Sequence, residues 1–562
     1  MSQATESPAN TYRTGLDGAA VQAMFWTSRG RLISNARLAC FAALLVVAWL
    51  AFGTRALSAY WLGVPGIAFI ALVVAHDRIL ARAVRAESIR RFYEDGIARL
   101  EHRFAGRGDA GLRYLDPQHP YARDLDLFGP GSLYELLATT RTVRGSDRLA
   151  GWLLDGAAPE RIRERQVAVA ELRPRLDLRR DMMLCGGETP AAADPTTRLE
   201  LWAKAPVDKL PRWLPLLCAT ATVLSLGAIG LWIWTASGPV PFAAALIFQG
   251  GLGLALRPRV APILRAAETP VESLAQTSTL LACLERERFE APLLARLARD
   301  LESTGHLPSQ ELARLRTLVD RRDFRANQFF APIAGLLMWG SHVAIALEQW
   351  RARCGPRLEL WIAAAAEIEA LSALAGFAYE HPEAPFPEVV DAGPCFEGRG
   401  LGHPMLDPAR CVRNDLRLGP LPQALVVSGS NMSGKSTFLR TIGCNTVLAL
   451  AGAPVCAEKL RLSPLRIAAS IRIVDSLADG QSHFMAEILR LRQVVEISRG
   501  TPPALFLLDE ILHGTNSHDR RIGAEAVIRG LVENGALGLV TTHDLALTQS
   551  VPETAGKLAN VH

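Results

Sequence analysis

The chain has 562 residues, 49% of them hydrophobic, a formal net charge of +5 and nine cysteines. That length holds several domains and a substantial core. So small a net charge does not by itself point to nucleic acid. Scattered cysteines with no C-x-x-C pair argue against a zinc centre or a disulfide framework and suit a reducing compartment.

In chain order, residues 1–36 read as a polar, loosely ordered tail. Leu38 to Thr54 and Ala56 to Ala75 are uncharged runs of 17 and 20 residues, each near the length that crosses a bilayer. They read as a membrane hairpin over residues 37–77, with Arg55 near its turn. A cleaved leader does not fit, because the first run starts late and a second follows at once. Residues 78–208 read as helical: an arginine-rich stretch from Arg78 to Arg107 with a solvated face, then Tyr134 to Leu154 and Arg161 to Leu172.

Trp213 to Leu256 is uncharged for 44 residues, broken by Ser237-Gly238-Pro239, and predicts a second hairpin within 209–258. Arg29, Arg31 and Arg37 precede the first hairpin, and Arg78, Arg82 and Arg85 follow it. Lys204, Lys209 and Arg212 precede the second, and Arg257 and Arg259 follow it. By the excess of positive charge on cytoplasmic segments, both ends of both hairpins face the cytoplasm. The expected location is the cytoplasmic (inner) membrane, multi-pass, with the rest of the chain in the cytoplasm.

Residues 259–395 read as helical again. The apolar run Ala326 to Leu347 contains Asn327, Gln328, Ser341 and His342, which are costly in lipid, so it predicts a buried soluble helix. Leu360 to Tyr379 is a helix ended by His381-Pro382, and Pro382 to Pro387 links it to the last domain, 396–562.

That domain carries the chemistry. Gly429-Ser430-Asn431-Met432-Ser433-Gly434-Lys435-Ser436 spells G-x-x-x-x-G-K-S, a phosphate-binding loop. The strand-like run Ala424 to Ser428 precedes it, and a helical stretch from Thr437 to Leu450 follows. Glycines let successive N–H groups face phosphate oxygens, and the helix adds its positive end. Lys435 reaches the β/γ-phosphates of ATP, and the Ser436 hydroxyl can bind Mg²⁺. Ala504 to Asp509 is an apolar strand closing on Asp509-Glu510, a pair with no cheap structural reason to be there because like charges repel. Asp509 suits Mg²⁺, and Glu510 suits the general base for a water nucleophile. His543 follows a third strand, Leu537 to Thr542, where it can sense the γ-phosphate. Ser482 stands at a helix start, where it can cap the helix or present itself to a phosphate on a partner subunit.

These residues resemble the MutS family, dimeric ATPases of the ABC class that act in DNA mismatch repair. The loop followed by Thr437 matches the family's pattern. Its signature serine-x-Phe-Met-x-Glu matches Ser482, Phe484, Met485 and Glu487. Asp509, Glu510, Gly514 and Thr515 match its Asp-Glu strand and following Gly-Thr, and Thr542-His543 its switch. Gly402-His403-Pro404 and Asn414-Asp415 match its approach to the first strand. Ser132 to Leu154 looks like the family's core domain, and Glu348 to Tyr379 like its lever helices.

The resemblance implies a mixed fold: an all-α core and lever region carrying the two hairpins, then an α/β P-loop ATPase domain. It implies ATP and Mg²⁺ as ligands and a homodimer with shared sites. Lys435, Ser436, Asp509, Glu510 and His543 then act from one subunit and Ser482 from the other, while Asn431 shapes the loop. Membrane lipid is a partner through the hairpins, and DNA is one by resemblance only, since no basic patch with interleaved aromatics stands out.

Several residues depart from the family. Leu512-His513 replaces its usual Gly-Arg, and His483 stands where threonine is common. The mismatch-reading domain has no room before Leu38; Phe92-Tyr93-Glu94 spells that domain's Phe-x-Glu wedge, but on a juxtamembrane helix. The chain stops at Asn560-Val561-His562, where the family continues, so a truncated ATPase domain is expected. The rival functions are an ABC-type transporter and a nucleotide-gated membrane scaffold.

Overall fold

In the computed structural model, Ser7 caps a helix that the polar composition of the first 36 residues does not announce. Its Oγ accepts the Asn10 N–H at 3.4 Å, and Pro8 occupies the first turn, where a missing N–H is harmless. Helix α1 (Pro8–Ala48) therefore runs through most of the expected loose tail. The structure describes residues 7–185, 195–206, 210–211, 213–235, 238–266, 271–302, 305–323, 331–391, 393–430, 433–472, 483–512, 515–543 and 556–561.

What holds the start of α1 in place is packing against α2 (Gly63–Leu100). Tyr12 lies over Gly96 and Tyr93 over Gly15; a Cβ at either glycine would meet a ring carbon at 2.5 Å. Phe92 and Tyr93 have their ring centroids 6.2 and 6.1 Å from that of Tyr12. The wedge-like triplet is thus built into this helix contact. The Tyr12 hydroxyl donates to Glu380 Oε1 at 3.0 Å, and Arg99 Nη2 lies 2.6 Å from the same oxygen. Glu380 is only 2% exposed and Arg99 12%. Arg99→Ala strands a buried carboxylate and is expected to cost about 3–5 kcal/mol, read by thermal denaturation in detergent.

The chain divides into two compact units, one of Met1–Ala138, Leu153–Ile162 and Ala375–His562, the other of Thr139–Trp152 and Arg163–Leu374. In the second, Leu214–Thr235 and Val240–Ala266 form a helical pair. The buried Ser225 hydroxyl lies 2.8 Å from Gln249 Oε1 across the pair, and Gln249 Nε2 donates to the Leu336 carbonyl at 2.6 Å. The stretch read as one helical run from Tyr134 breaks after Leu137 and restarts at Val143. Thr142 Oγ1 accepts the Gly145 N–H at 3.0 Å there, a cap that favours a new start.

Among the described residues, five helical stretches are long and apolar enough to cross a membrane. Pro8–Gly53 and Ala59–Leu100 have 0% of their apolar windows buried, Leu214–Thr235 17% and Val240–Ala266 11%. In the fifth, α3 (Trp339–Glu380), 89% is buried, so protein rather than lipid covers it. The Ala326–Leu347 run does not form one helix: Ala331–Leu336 is helical, and the chain turns at Leu337-Met338, with Met338 at φ +46°. Asn327 and Gln328 lie outside the described residues, and α3 takes up the end of the run. It begins well before the predicted Leu360 and continues through Pro356. Trp350 and Trp361, almost wholly buried on either side, supply packing that offsets the lost N–H.

The last domain holds two sheets. One has the order β1-β5-β2-β3, from Glu388–Val389, Lys459–Leu462, Phe396–Leu401 and Asn414–Leu418. The other has the order β6-β7-β8-β4-β9, from Arg466–Ser470, Ala504–Asp509, Leu537–Thr542, Ala424–Ser428 and Leu558–Val561. Every pairing in the second sheet is parallel. The burial of β4, β7 and β8, the last entirely so, explains why these three read as unbroken apolar runs rather than alternating ones.

Candidate nucleotide site

Parallel strands put all their C-terminal ends on one edge, and such edges are where α/β sheets bind ligands. On this edge β4 ends at Ser428, β7 at Asp509 and β8 at Thr542. The loop Gly429–Gly434 leaves β4 and enters α4 (Lys435–Ala451). Gly434 caps the helix at φ +87°, a left-handed conformation in which a Cβ is strained, so this glycine is required by backbone geometry. The helix is pinned from behind by buried Asn445, whose Nδ2 donates to the Gly402 carbonyl at 2.9 Å and whose Oδ1 accepts the Cys456 N–H at 2.8 Å.

Three of the sequence-predicted side chains meet here. Lys435 Nζ donates to the carbonyls of Gly429 and Ser430 at 3.0 Å each and lies 3.5 Å from His543 Nε2. His543 Nδ1 lies 2.9 Å from the Gly429 carbonyl, which can only accept, so Nδ1 carries a proton. Nε2 is thereby turned to Glu510, whose Oε1 it contacts. An ammonium, an imidazole and a carboxylate thus surround the mouth of the loop. Ser436 and Thr437 lie in the first turn of α4, at the positive end of the helix. Ser433 Oγ sits beside Gly429, 3.2 Å from where a Cβ would be. Asn431, Met432, Ser482 and Gly514 lie outside the described residues.

Asp509 is held by a residue that sequence reading passed over. Strand register sets Thr541 opposite Asp509, and the Thr541 hydroxyl donates to Asp509 Oδ1. The same hydroxyl accepts the Glu510 N–H at 3.2 Å. The family pattern drew attention to Thr542-His543; the signal for Thr541 is pairing register, which one sequence does not display.

Past the carboxylates the backbone turns sharply. Glu510 and Leu512 adopt φ of +48° and +61°, uncommon for residues with side chains. Leu512 stands where the resemblance implies glycine, the residue that adopts such a φ without strain. Its N–H donates to the wholly buried carboxylate of Glu487 on α5 (His483–Ser498). Its side chain is buried in the core of the second sheet.

Magnesium binds hard oxygen donors. The Ser436 hydroxyl and the Asp509 carboxylate are donors of that kind. Among the described residues no cluster of three or more His, Cys, Asp or Glu could hold a metal without further donors.

Residues 425–562 match the family model of MutS domain V. The match spans the loop, the Asp-Glu strand and the histidine described above, and this domain is the ATPase domain of its family. Residues 425–562 therefore form a domain of the MutS domain V type.

Proposed function

We propose that this protein is a membrane-anchored ATPase that binds and hydrolyses ATP at sites shared across a homodimer and uses closure around ATP to move its helical levers. The observation that carries the reading is the meeting of Lys435, His543 and Glu510 at the loop mouth, on the edge of a parallel sheet. In this reading the N–H groups of the loop and the Lys435 ammonium hold the β/γ-phosphates. Ser436 and Asp509 would hold Mg²⁺, which when bound would supply charge neutralisation to the phosphates. Glu510 orients and deprotonates the attacking water. His543, proton on Nδ1, keeps Nε2 toward Glu510 and ties its position to the loop through the Gly429 carbonyl. Ser482, from the family signature, completes the site of the partner.

The anchor rests on the two helical pairs whose apolar windows are uncovered. Their arginine-rich flanks support an orientation with the ATPase domain on the cytoplasmic side of the inner membrane. ATP binding that favours the closed dimer shifts the population of lever positions, the only way a ligand can drive such a change.

The test is phosphate release and fluorescent-ATP binding by the full-length protein in detergent. Lys435→Ala is expected to weaken nucleotide binding about tenfold or more, since it removes the loop's charged donor. Unchanged binding and turnover would remove the site assignment. Burial of Phe92 and Tyr93 in the α1–α2 contact leads to a second expectation. Mismatched duplex should bind no more tightly than paired duplex in a gel-shift titration, and a clear mismatch preference would contradict it.

A further inference from the structure

Residues 118–126 lie along the outer edge of β6, the edge strand of the second sheet. Pro120 O accepts the Ala469 N–H at 2.9 Å, which covers part of an otherwise open edge. At the centre of the segment is Asp124, a carboxylate only 1% exposed. Its Oδ1 accepts the N–H groups of Ile471 at 2.7 Å and Arg472 at 2.8 Å, just past the end of β6. Its Oδ2 lies 3.4 Å from Arg490 Nη2 on α5. Its carbonyl accepts Arg440 Nε at 3.1 Å, from the helix that begins at the phosphate loop. Burial pushes the Asp124 carboxyl up, and the two amides, Arg490 and Arg440 pull it down.

The neighbouring contacts repeat the pattern. Asp126 Oδ1 lies 2.6 Å from Arg472 Nη1, and Asp126 Oδ2 lies 3.4 Å from Arg440 Nη1. Arg490 Nη1 also donates to the His119 carbonyl at 2.9 Å. Three elements of the ATPase domain therefore meet one short segment. One turn along α5 from Arg490 stands Glu487, which holds the Leu512 N–H two residues beyond Glu510. A continuous set of hydrogen bonds and helix turns joins Asp124 to the turn that aims the general base.

We propose that Asp124 is a positioning residue for hydrolysis: by fixing Arg490 and Arg440 it sets α5, and through Glu487 the Glu510 turn, relative to the phosphate-loop helix. This rests on the ATPase reading above. A mere staple would give stability alone. A positioning residue affects the chemical step while leaving the loop's grip on nucleotide in place, because the loop's own donors are unchanged.

The experiment compares wild type, Asp124→Ala, Asp124→Asn, Glu487→Gln and the Asp124→Ala/Glu487→Gln double variant, all full length in detergent. The readouts are kcat, KM and binding of a fluorescent ATP analogue. Asp124→Ala is expected to lower kcat about tenfold or more while nucleotide affinity stays within about threefold. Asp124→Asn keeps an acceptor for the two amides but loses the charge facing Arg490, so its kcat should fall in between. The double variant should be no slower than about twofold below the worse single variant, because both changes act on one turn. A kcat near wild type in Asp124→Ala overturns the proposal, and so does an affinity that falls in step with kcat. Should the alanine variant fail to fold, Asp124→Asn decides: wild-type kcat overturns the proposal, and reduced kcat with retained affinity supports it. A wild type that binds ATP without turning it over overturns the ATPase reading, and this inference with it.

Discussion

Glu510→Gln is expected to lower ATP turnover by about 10²–10⁴-fold, the usual worth of a positioned general base. The amide has nearly the carboxylate's shape but accepts no proton from water. Its effect should fall on kcat, because Glu510 is not among the groups that grip phosphate. The backbone supports this separation. The Glu510 N–H is held by Thr541, and the left-handed turn is fixed by burial of Leu512 and by its N–H bond to Glu487, none of which the substitution touches. His543 then faces an amide in place of a carboxylate, and the imidazole keeps its place through the Gly429 carbonyl. Nucleotide affinity should therefore remain close to wild type, and the ATP-bound form should accumulate. Steady-state phosphate release alongside fluorescent-ATP binding separates the two quantities. Turnover above roughly a tenth of wild type would assign the base elsewhere.

Much of the site was legible because its signals are local. Strand, loop, helix and lysine occupy consecutive positions, and Asp509-Glu510 and His543 each close an apolar run, so composition along the chain marks them. What was not legible depends on residues far apart. Thr541 acts through register with β7, and Asp124 acts on groups more than three hundred positions away. Leu512 shows its strained backbone only once the turn is folded. The first helix was misjudged for a related reason. Its polar composition suggested a loose tail, but Tyr12, Gly15, Phe92, Tyr93, Gly96 and Arg99 pack as one contact, and its value is invisible from either helix alone. Ser7-Pro8 was a readable start signal. The buried start of α3, Trp339 to Leu347, was readable because polar side chains in an apolar run are costly in lipid, whereas the break at Leu337-Met338 before it carried no such signal.

The full-length protein is expected to stay with membranes through high-salt and alkaline washing and to leave them only with detergent. The reason is exposed apolar surface, not hydropathy alone. On the first pair of helices Leu38, Phe41, Leu45, Val46, Trp49 and Phe52 face outward, as do Val64, Ile67, Ile70 and Val74. On the second, Val223, Leu224, Ile233, Ile247 and Leu254 do the same. Water-soluble monomers rarely expose contiguous apolar patches beyond a few hundred Å². Leu214–Thr235 has 22 residues. At 1.5 Å per residue such a helix spans about 33 Å, matching a hydrocarbon core of about 30 Å. Salt weakens only the contribution of the flanking arginines. Removing the lipid would leave both helical pairs bare, which detergent alone prevents. Leu224→Arg, near the middle of its helix, should raise the cost of insertion by about 2.5–3.5 kcal/mol and lower the membrane-bound yield. The buried α3 provides the contrast. Ala365→Arg there should disrupt packing and unfold the protein rather than release it, because that helix is covered by protein. Recovery of folded wild type in the supernatant without detergent would show that another protein surface covers these helices, and the anchor would be withdrawn.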